Sequence, residues 1–452
     1  MNPRRASNRV HSLSRVEEQL LARWPERKIE PSLDRITSVM ALLGDPQRTY
    51  RSVHLTGTNG KTSTARMIEA LLAESGERTG RLTSPHLTSI RERISIVEDA
   101  ISVPAFLSAY ATVADEAQRV DATMQHPLSF FEMTVAMAYH AFRAAAIDVA
   151  VVEVGMGGRW DATNVIDSDV AVILPIDLDH TDILGSTTTA IAQEKGGIIK
   201  PGSVAVSARQ RADVANVLQA RARSVSARLL VEGDDFALLQ RKAVEDGQVF
   251  SARGLYGTYA DLLLTLRGRH QAENAACAIV AAESILGREL ASEAVEAGLA
   301  RVTSPGRFDF YPGTPPVILD AAHNPHGARA LAESLAELSP CRTFGVVAAM
   351  ADKNVDGMLR ELEPVIDVVV CTRNSSPRSL TAAELAWYAR QVFGAQRIHV
   401  ARNVAAAIDV AAGFAAPMLE RPCDALVLVT GSVVTVGDAT RFLSRTRPTK
   451  LG

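Results

Sequence analysis

Ser52-Val53-His54-Leu55-Thr56-Gly57-Thr58-Asn59-Gly60-Lys61-Thr62-Ser63 decides how the rest of the chain is read. Ser52 to Thr56 alternate polar and apolar in the manner of a strand, and Met67, Ile68, Leu71 and Leu72 then recur at helical spacing up to a stop at Gly76. The glycine-lysine-threonine turn therefore lies where a strand gives way to a helix. The first N–H groups of that helix have no intrahelical acceptor and its dipole places positive charge there, so the junction predicts a polyphosphate ligand. Gly57 and Gly60 let the backbone approach, Lys61 reaches the terminal phosphates, and the hydroxyl of Thr62 or Ser63 meets the magnesium carried by ATP. Leu55 stands where the usual first glycine would be, which makes this a shortened P-loop.

Upstream, Leu33, Ile36, Met40 and Leu43 form one apolar helical face that ends at Gly44 and Pro46. Before it, Ser14 and Glu17 predict a capping box for a helix running through Leu20 and Leu21 towards Trp24 and Pro25. About one hairpin of helices thus precedes the P-loop. Residues 1–15 carry arginines without a following apolar segment and read as a loose tail rather than a secretion signal.

Downstream, residues 79–83 predict a strand that empties into Ser84-Pro85-His86-Leu87, and 93–97 a second strand after an arginine-rich loop. Phe130-Phe131-Glu132 opens a helix reaching Ala146, and 148–154 form a near-continuous apolar run of the buried, parallel type. The end of that run carries Glu153, and Gly155-Met156-Gly157-Gly158-Arg159-Trp160-Asp161-Ala162-Thr163-Asn164 come after it. The next strand, 171–176, empties into Asp177-Leu178-Asp179-His180-Thr181-Asp182. In open α/β sheets ligands collect at the carboxyl ends of strands, so three polar loops converge on one edge. Strands of mixed character fill 203–268, a helix over 271–286 carries Asn274 near its start, and a further helical segment ends near Ala300.

The breaker cluster Thr303-Ser304-Pro305-Gly306-Arg307 marks a domain boundary, giving units 1–302 and 303–452. Beyond it, 317–319, 343–348, 368–371 and 425–429 predict buried strands separated by helical patterns. The expected fold class is α/β in two domains, a P-loop domain followed by a smaller Rossmann-like one. A net charge of -3 leaves no basic field for nucleic acid, and no apolar run is long enough to span a membrane. Cys277, Cys341, Cys371 and Cys423 have no paired metal-ligand spacing and suit reduced thiols in the cytoplasm. Small molecules are the expected partners.

Among the loops, Glu153 and His180 offer an oxygen and an imidazole to a divalent ion near the phosphates, with Asp177, Asp179 and Asp182 as competing ligands. Lys195 ends a helix begun by threonines at 187–189, where a cation complements the helix dipole. Arg307 suits either the ATP phosphates or an interdomain ion pair. Asp320 suits a ribose or base contact, or the cap of the next helix.

Assembled, these motifs resemble the folate branch of the Mur ligase family of ATP-dependent amide ligases, from Pro31-Ser32-Leu33 to Gly431-Ser432. The resemblance implies addition of L-glutamate to dihydropteroate, to reduced folates or to both, through an acyl phosphate, with release of ADP and phosphate. It implies that Asn59, Gly60, Lys61 and Thr62 hold ATP phosphates, that Asn274, Arg307 and Asp320 contact ATP, and that Ser84, Glu153 and His180 ligate magnesium. Lys195 matches a lysine that is carbamylated in the family and serves a second magnesium. His323 matches a residue near the incoming glutamate. Pro31, Ser32, Leu33, Ser129, Phe130, Phe131 and Asp161, with Trp160 and Ala162 beside it, match the pteroate pocket, one of the two phenylalanines being expected in the core. Lys61, Lys195, His180, Arg307 and His323 are the expected catalytic set. Folate ligases commonly have glycine where this chain has Thr62, whereas the cell-wall branch has threonine. That branch carries a nucleotide-sugar-binding domain before its P-loop, for which two helices leave no room. A cell-wall amino-acid ligase and a nucleotide switch without ligase activity are the alternatives. A cytoplasmic monomer is expected.

Overall fold

The computed structural model describes residues 12–25, 31–338, 342–418 and 424–446. The first eleven residues, Cys341 and Cys423 lie outside them. Among the described residues there are three sheets. The first comprises β1 Arg51–Thr56, β2 Thr79–Leu82, β3 Ile94–Ile96, β4 Asp99–Ala100, β5 Val149–Glu153, β6 Val170–Ile173, β7 Val204–Ser207 and β8 Arg228–Val231. Their order is β4-β3-β2-β5-β1-β6-β7-β8, parallel from β2 to β8 with β3 and β4 added antiparallel at one edge.

β1 lies between β5 and β6, where the chain's direction of winding reverses. Val53 and Leu55 pack with Met67, Ile68 and Leu71 of the helix Lys61–Glu74 and with the helix Arg269–Leu286. The opposite face of the sheet is covered by the helices Asp34–Leu42, Val103–Asp121 and Phe130–Ala144. The polar alternation of β1 therefore does not mark a solvent face. Ser52, His54 and Thr56 are as buried as their apolar neighbours.

Two local expectations are corrected. The first helix, Leu13–Leu21, is capped by Ser12, whose Oγ accepts the Arg15 N–H at 3.4 Å, and not by Ser14. The stretch 203–268 contains a helix, Ala212–Ser224, before a separate antiparallel sheet of β9 Ala237–Val244, β10 Gly247–Arg253 and β11 Thr258–Leu264. Phe250, Tyr259 and Leu262 bury that sheet against the helix Arg269–Leu286.

The third sheet comprises β12 Asp309–Tyr311, β13 Val317–Leu319, β14 Arg342–Val347, β15 Val368–Cys371, β16 Ile398–Val400 and β17 Ala425–Thr430, in the order β12-β13-β17-β14-β15-β16. All pairs but β12–β13 are parallel, and apolar clusters cover both faces. β12 and β16 were not foreseen. The first unit also touches this second core: Leu87, a partly buried residue of the loop after β2, packs against the cluster that includes Val436 and Ala439. A Cβ on Gly437 would lie 2.7 Å from the Leu87 carbonyl oxygen.

Candidate active site

The helix Lys61–Glu74 starts at Gly60, whose φ of +87° is left-handed and whose added Cβ would stand 2.9 Å from Asn274 Oδ1. Only glycine meets both demands there. Lys61 Nζ donates to the Gly57 carbonyl at 3.0 Å and to the Thr58 carbonyl at 3.4 Å. Lys195 Nζ, from the end of the helix Thr188–Lys195, donates to the same Gly57 oxygen at 2.9 Å. Burial, reinforced by the Lys61 charge, pushes the Lys195 ammonium down to about 7, and burial also lowers Lys61. Near neutral pH Lys195 is thus a buried amine poised between its two protonation states.

Across the loop, both oxygens of Glu153 lie 3.0 Å from the Thr62 hydroxyl, and Oε2 accepts the Ser84 N–H at 3.2 Å. Burial raises this carboxyl against the lowering pull of Lys61. Ser63 turns away, its Oγ 3.0 Å from that of Ser304. Of the two hydroxyls, Thr62 is therefore the one facing the site.

After β6, Asp179 gathers donors from both halves of the chain. Oδ1 accepts from Lys353 Nζ at 2.6 Å and from the His180 N–H at 2.8 Å, and Oδ2 accepts from Asn324 Nδ2 at 2.8 Å with His323 Nε2 at 3.5 Å. Burial alone would raise the Asp179 carboxyl, but His323 and Lys353 hold it well below the usual carboxylate range. His180 is lowered to about 4 by burial and by Lys353, whose Nζ lies 3.3 Å from its Nε2. Asn59 of the P-loop meets Asn324 Oδ1 at 3.1 Å and His326 Nδ1 at 2.8 Å. Asp320 accepts the N–H groups of Phe308 and Ala322, each at 2.8 Å, while Asn324 caps the helix Pro325–Ala336.

Two cavities meet here. The smaller, about 190 Å³, is walled by Asn59, Gly60, Lys61, Thr62, Ser84, Glu153, His180, Lys195, Arg307, Asp320 and His323. The larger, about 940 Å³, is walled by Ser32, Ser129, Phe131, Trp160, Asp161 and Ala162 among others. Ser84, Gly155, Asp179, His180 and His323 border both. A shallower depression of about 660 Å³ lies at the amino ends of β1 and β5, around Arg51 and Asp148, away from the P-loop.

Four expected contacts lie off these walls. Asn274 sits behind Gly60 with its Nδ2 3.3 Å from Gln271 Oε1. Phe130 is a core residue under the Arg93 guanidinium, 4.8 Å from the ring centroid, leaving Phe131 as the phenylalanine of the pair that lines the cavity, beside Trp160. Leu33 packs into the helical core and Pro31 is exposed. Asp161 lines the cavity but spends Oδ1 on the Thr163 N–H and hydroxyl, and Oδ2 on the Met156 N–H. Lys353 was missed, although it follows β14 and so obeys the same carboxyl-end rule. Among the described residues no three His, Cys, Asp or Glu gather as metal ligands.

A family model described as the Mur ligase middle domain matches residues 55–282, and one described as the Mur ligase glutamate ligase domain matches 306–433. The chain is 46% identical to the dihydrofolate synthase/folylpolyglutamate synthase of Mycobacterium tuberculosis, over 96% of this chain and 95% of that protein. It is 31% identical to that of Escherichia coli over 93% of each. The structure of the Mycobacterium tuberculosis folylpolyglutamate synthase complexed with ADP superposes with a TM-score of 0.92 over 97% of this chain and 99% of that one. An E. coli FolC structure in complex with DHPP and ADP gives 0.84 at 30% identity, over 97% and 99%. With a P-loop beside an acceptor-sized cavity and these relatives along its length, the chain belongs to the Mur ligase family, in its dihydrofolate synthase/folylpolyglutamate synthase branch.

Proposed function

We propose that the smaller cavity binds ATP and the larger a pteroate or folyl acceptor, whose carboxylate takes the γ-phosphoryl group where the two meet. The amine of L-glutamate then attacks the acyl phosphate, giving the amide and releasing phosphate. The enzyme is an ATP-dependent ligase of folate metabolism. The observation that carries the route is the shared border at Asp179, His180 and His323, because a phosphoryl donor and a carboxylate acceptor must touch at one point.

Lys61 and Arg307 stabilise charge on the phosphoryl group in transfer. Asp179 and His323, 3.5 Å apart at the shared border, suit an incoming amine. Ser84, Glu153 and His180 suit a magnesium that keeps phosphate and water oxygens in its shell, since Glu153 is a buried carboxylate met by one hydroxyl and one amide. That ion, when bound, neutralises phosphate charge. Lys195, an amine of depressed pKa, is suited to attack carbon dioxide, lose a proton and become the carbamate that holds a second ion.

The proposed units are 1–302 and 303–452, in a monomer. Among the described residues no helix is long and apolar enough to cross a membrane, and Cys277 and Cys371 are free and buried, which suits the reducing cytoplasm.

ADP release by the purified protein with magnesium and L-glutamate tests this, with dihydropteroate, tetrahydrofolate or no acceptor. Acceptor-dependent release is expected, and the acceptors used tell synthase, extender and bifunctional enzyme apart. Release indifferent to either acceptor in ATP-binding protein would defeat the folate assignment.

A further inference from the structure

His54 has no place in the chemistry above, yet it is a fully buried imidazole in the strand that feeds the P-loop. Its Nε2 lies 2.8 Å from Thr163 Oγ1. That hydroxyl lies 2.5 Å from Asp161 Oδ1; burial raises this carboxyl, but the N–H groups of Thr163 and Met156 on its two oxygens favour the ionised form, which only accepts, so the hydroxyl proton is on this bond. Thr163 Oγ1 must then accept from His54, which fixes the Nε2–H tautomer and leaves Nδ1 without a partner. The hydroxyl is thus committed at both ends and cannot rotate. Tyr139 holds the same residue from the other side, its hydroxyl donating to the Thr163 carbonyl at 2.8 Å.

The far end of this chain of bonds is the wall of the larger cavity. Asp161 Oδ2 accepts the Met156 N–H at 2.8 Å, which ties the start of the loop after β5 to its end. A Cβ on Gly155 would stand 3.1 Å from that Oδ2 and 2.6 Å from Phe131 Cζ, so carboxylate and aromatic ring flank one glycine. Thr56 anchors the same loop, its hydroxyl donating to the Gly157 carbonyl at 2.7 Å.

We propose that His54 is a positioning residue for the acceptor: through Thr163 it fixes the Asp161 carboxylate beside Phe131. This rests on the reading that the larger cavity takes a folate-type acceptor. The phosphate strand and the acceptor wall are then one hydrogen-bonded unit.

The test compares His54→Leu, His54→Gln, Thr163→Val and the Leu/Val double variant. Steady-state KM for dihydropteroate and ATP, ADP titration calorimetry and thermal melting are measured on each. His54→Leu and Thr163→Val should each raise the dihydropteroate KM about tenfold, the scale of one hydrogen bond to a charged group. ADP affinity and the KM for ATP should hold, and the double variant should be no worse than either single one. His54→Gln keeps an N–H donor and should stay near wild type. An unchanged dihydropteroate KM in His54→Leu overturns the proposal. A parallel loss of ADP affinity, or failure of both single variants to fold, would make His54 a core residue alone and also overturns it. Wild-type protein that uses neither dihydropteroate nor tetrahydrofolate defeats the folate reading, a failure visible before any variant is made.

Discussion

At the scale of single residues, burial sets the chemistry. Lys195 is lowered from 10.5 to about 7, so between these values the unfolded chain holds more protons than the folded one. Stability from this group therefore rises with pH from about 7 to 10.5 and is least below 7. Lys195→Met should flatten that rise in melts run in carbon-dioxide-free buffer, and should cut ligation about a hundredfold by removing one buried charge stabiliser. Retained turnover would remove Lys195 from the site. His54 acts with the same sign at the acid end of the pH axis. Its lowering from 6.5 to about 3, by burial and then by Lys200, means that the unfolded chain takes up a proton the folded one refuses. Stability is lost as pH falls through that window, and His54→Gln should lose less than wild type over the same range. Equal acid sensitivity of the two proteins would show that His54 is not the group titrating.

At the scale of elements, the legible features were those with a local cause. Gly57, Gly60 and Lys61 mark the strand-to-helix turn by themselves, and Glu153 ends, and His180 follows, a strand whose apolar run declares it. What stayed illegible depends on neighbours. The even positions of β1 look solvent-facing because the alternation itself does not say that the helix Asp34–Leu42, legible just upstream, folds back over them together with the distant Val103–Asp121 and Phe130–Ala144. Phe130 and Phe131 are adjacent and chemically identical, and only the helix orientation sends one to the core and the other to the cavity. The loop after β5 offers a direct test. Gly155→Ala forces a Cβ onto the Phe131 ring, so the dihydropteroate KM should rise about tenfold, on the scale of one overpacked contact, with ADP affinity held. An unaltered KM would show that Phe131 yields without cost and does not shape the pocket.

At the scale of the molecule, the two halves are gripped at separate places. Lys353 reaches Asp179 at the cleft, with both side chains about nine-tenths buried, and Arg241 of β9 pairs with Glu337 beyond it. Lys353→Met leaves a buried carboxylate without its cation and should lower stability by about 3 kcal/mol in urea unfolding. Small-angle scattering should show a more extended particle. A compact, equally stable variant would mean that the halves are held by other contacts. The place of Lys353 after a strand was legible, but its pairing was not, because Asp179 lies 174 positions away and the two meet only through tertiary packing.

Leu87 carries a different consequence, one for engineering. The polypeptide passes once from one half to the other, which invites exchange of carboxyl-terminal halves between relatives at the boundary we propose near 303–307. Yet the Ser84–Leu87 loop ends against the core of the half that would be replaced, with Gly437 closed on the Leu87 carbonyl. A graft cut at the linker alone would seat a foreign pocket around Leu87 and disturb Ser84 three residues away. Chimaeras that carry the second half together with this loop, and keep the Asp179–Lys353 and Arg241–Glu337 pairs matched, should fold where simple swaps fail.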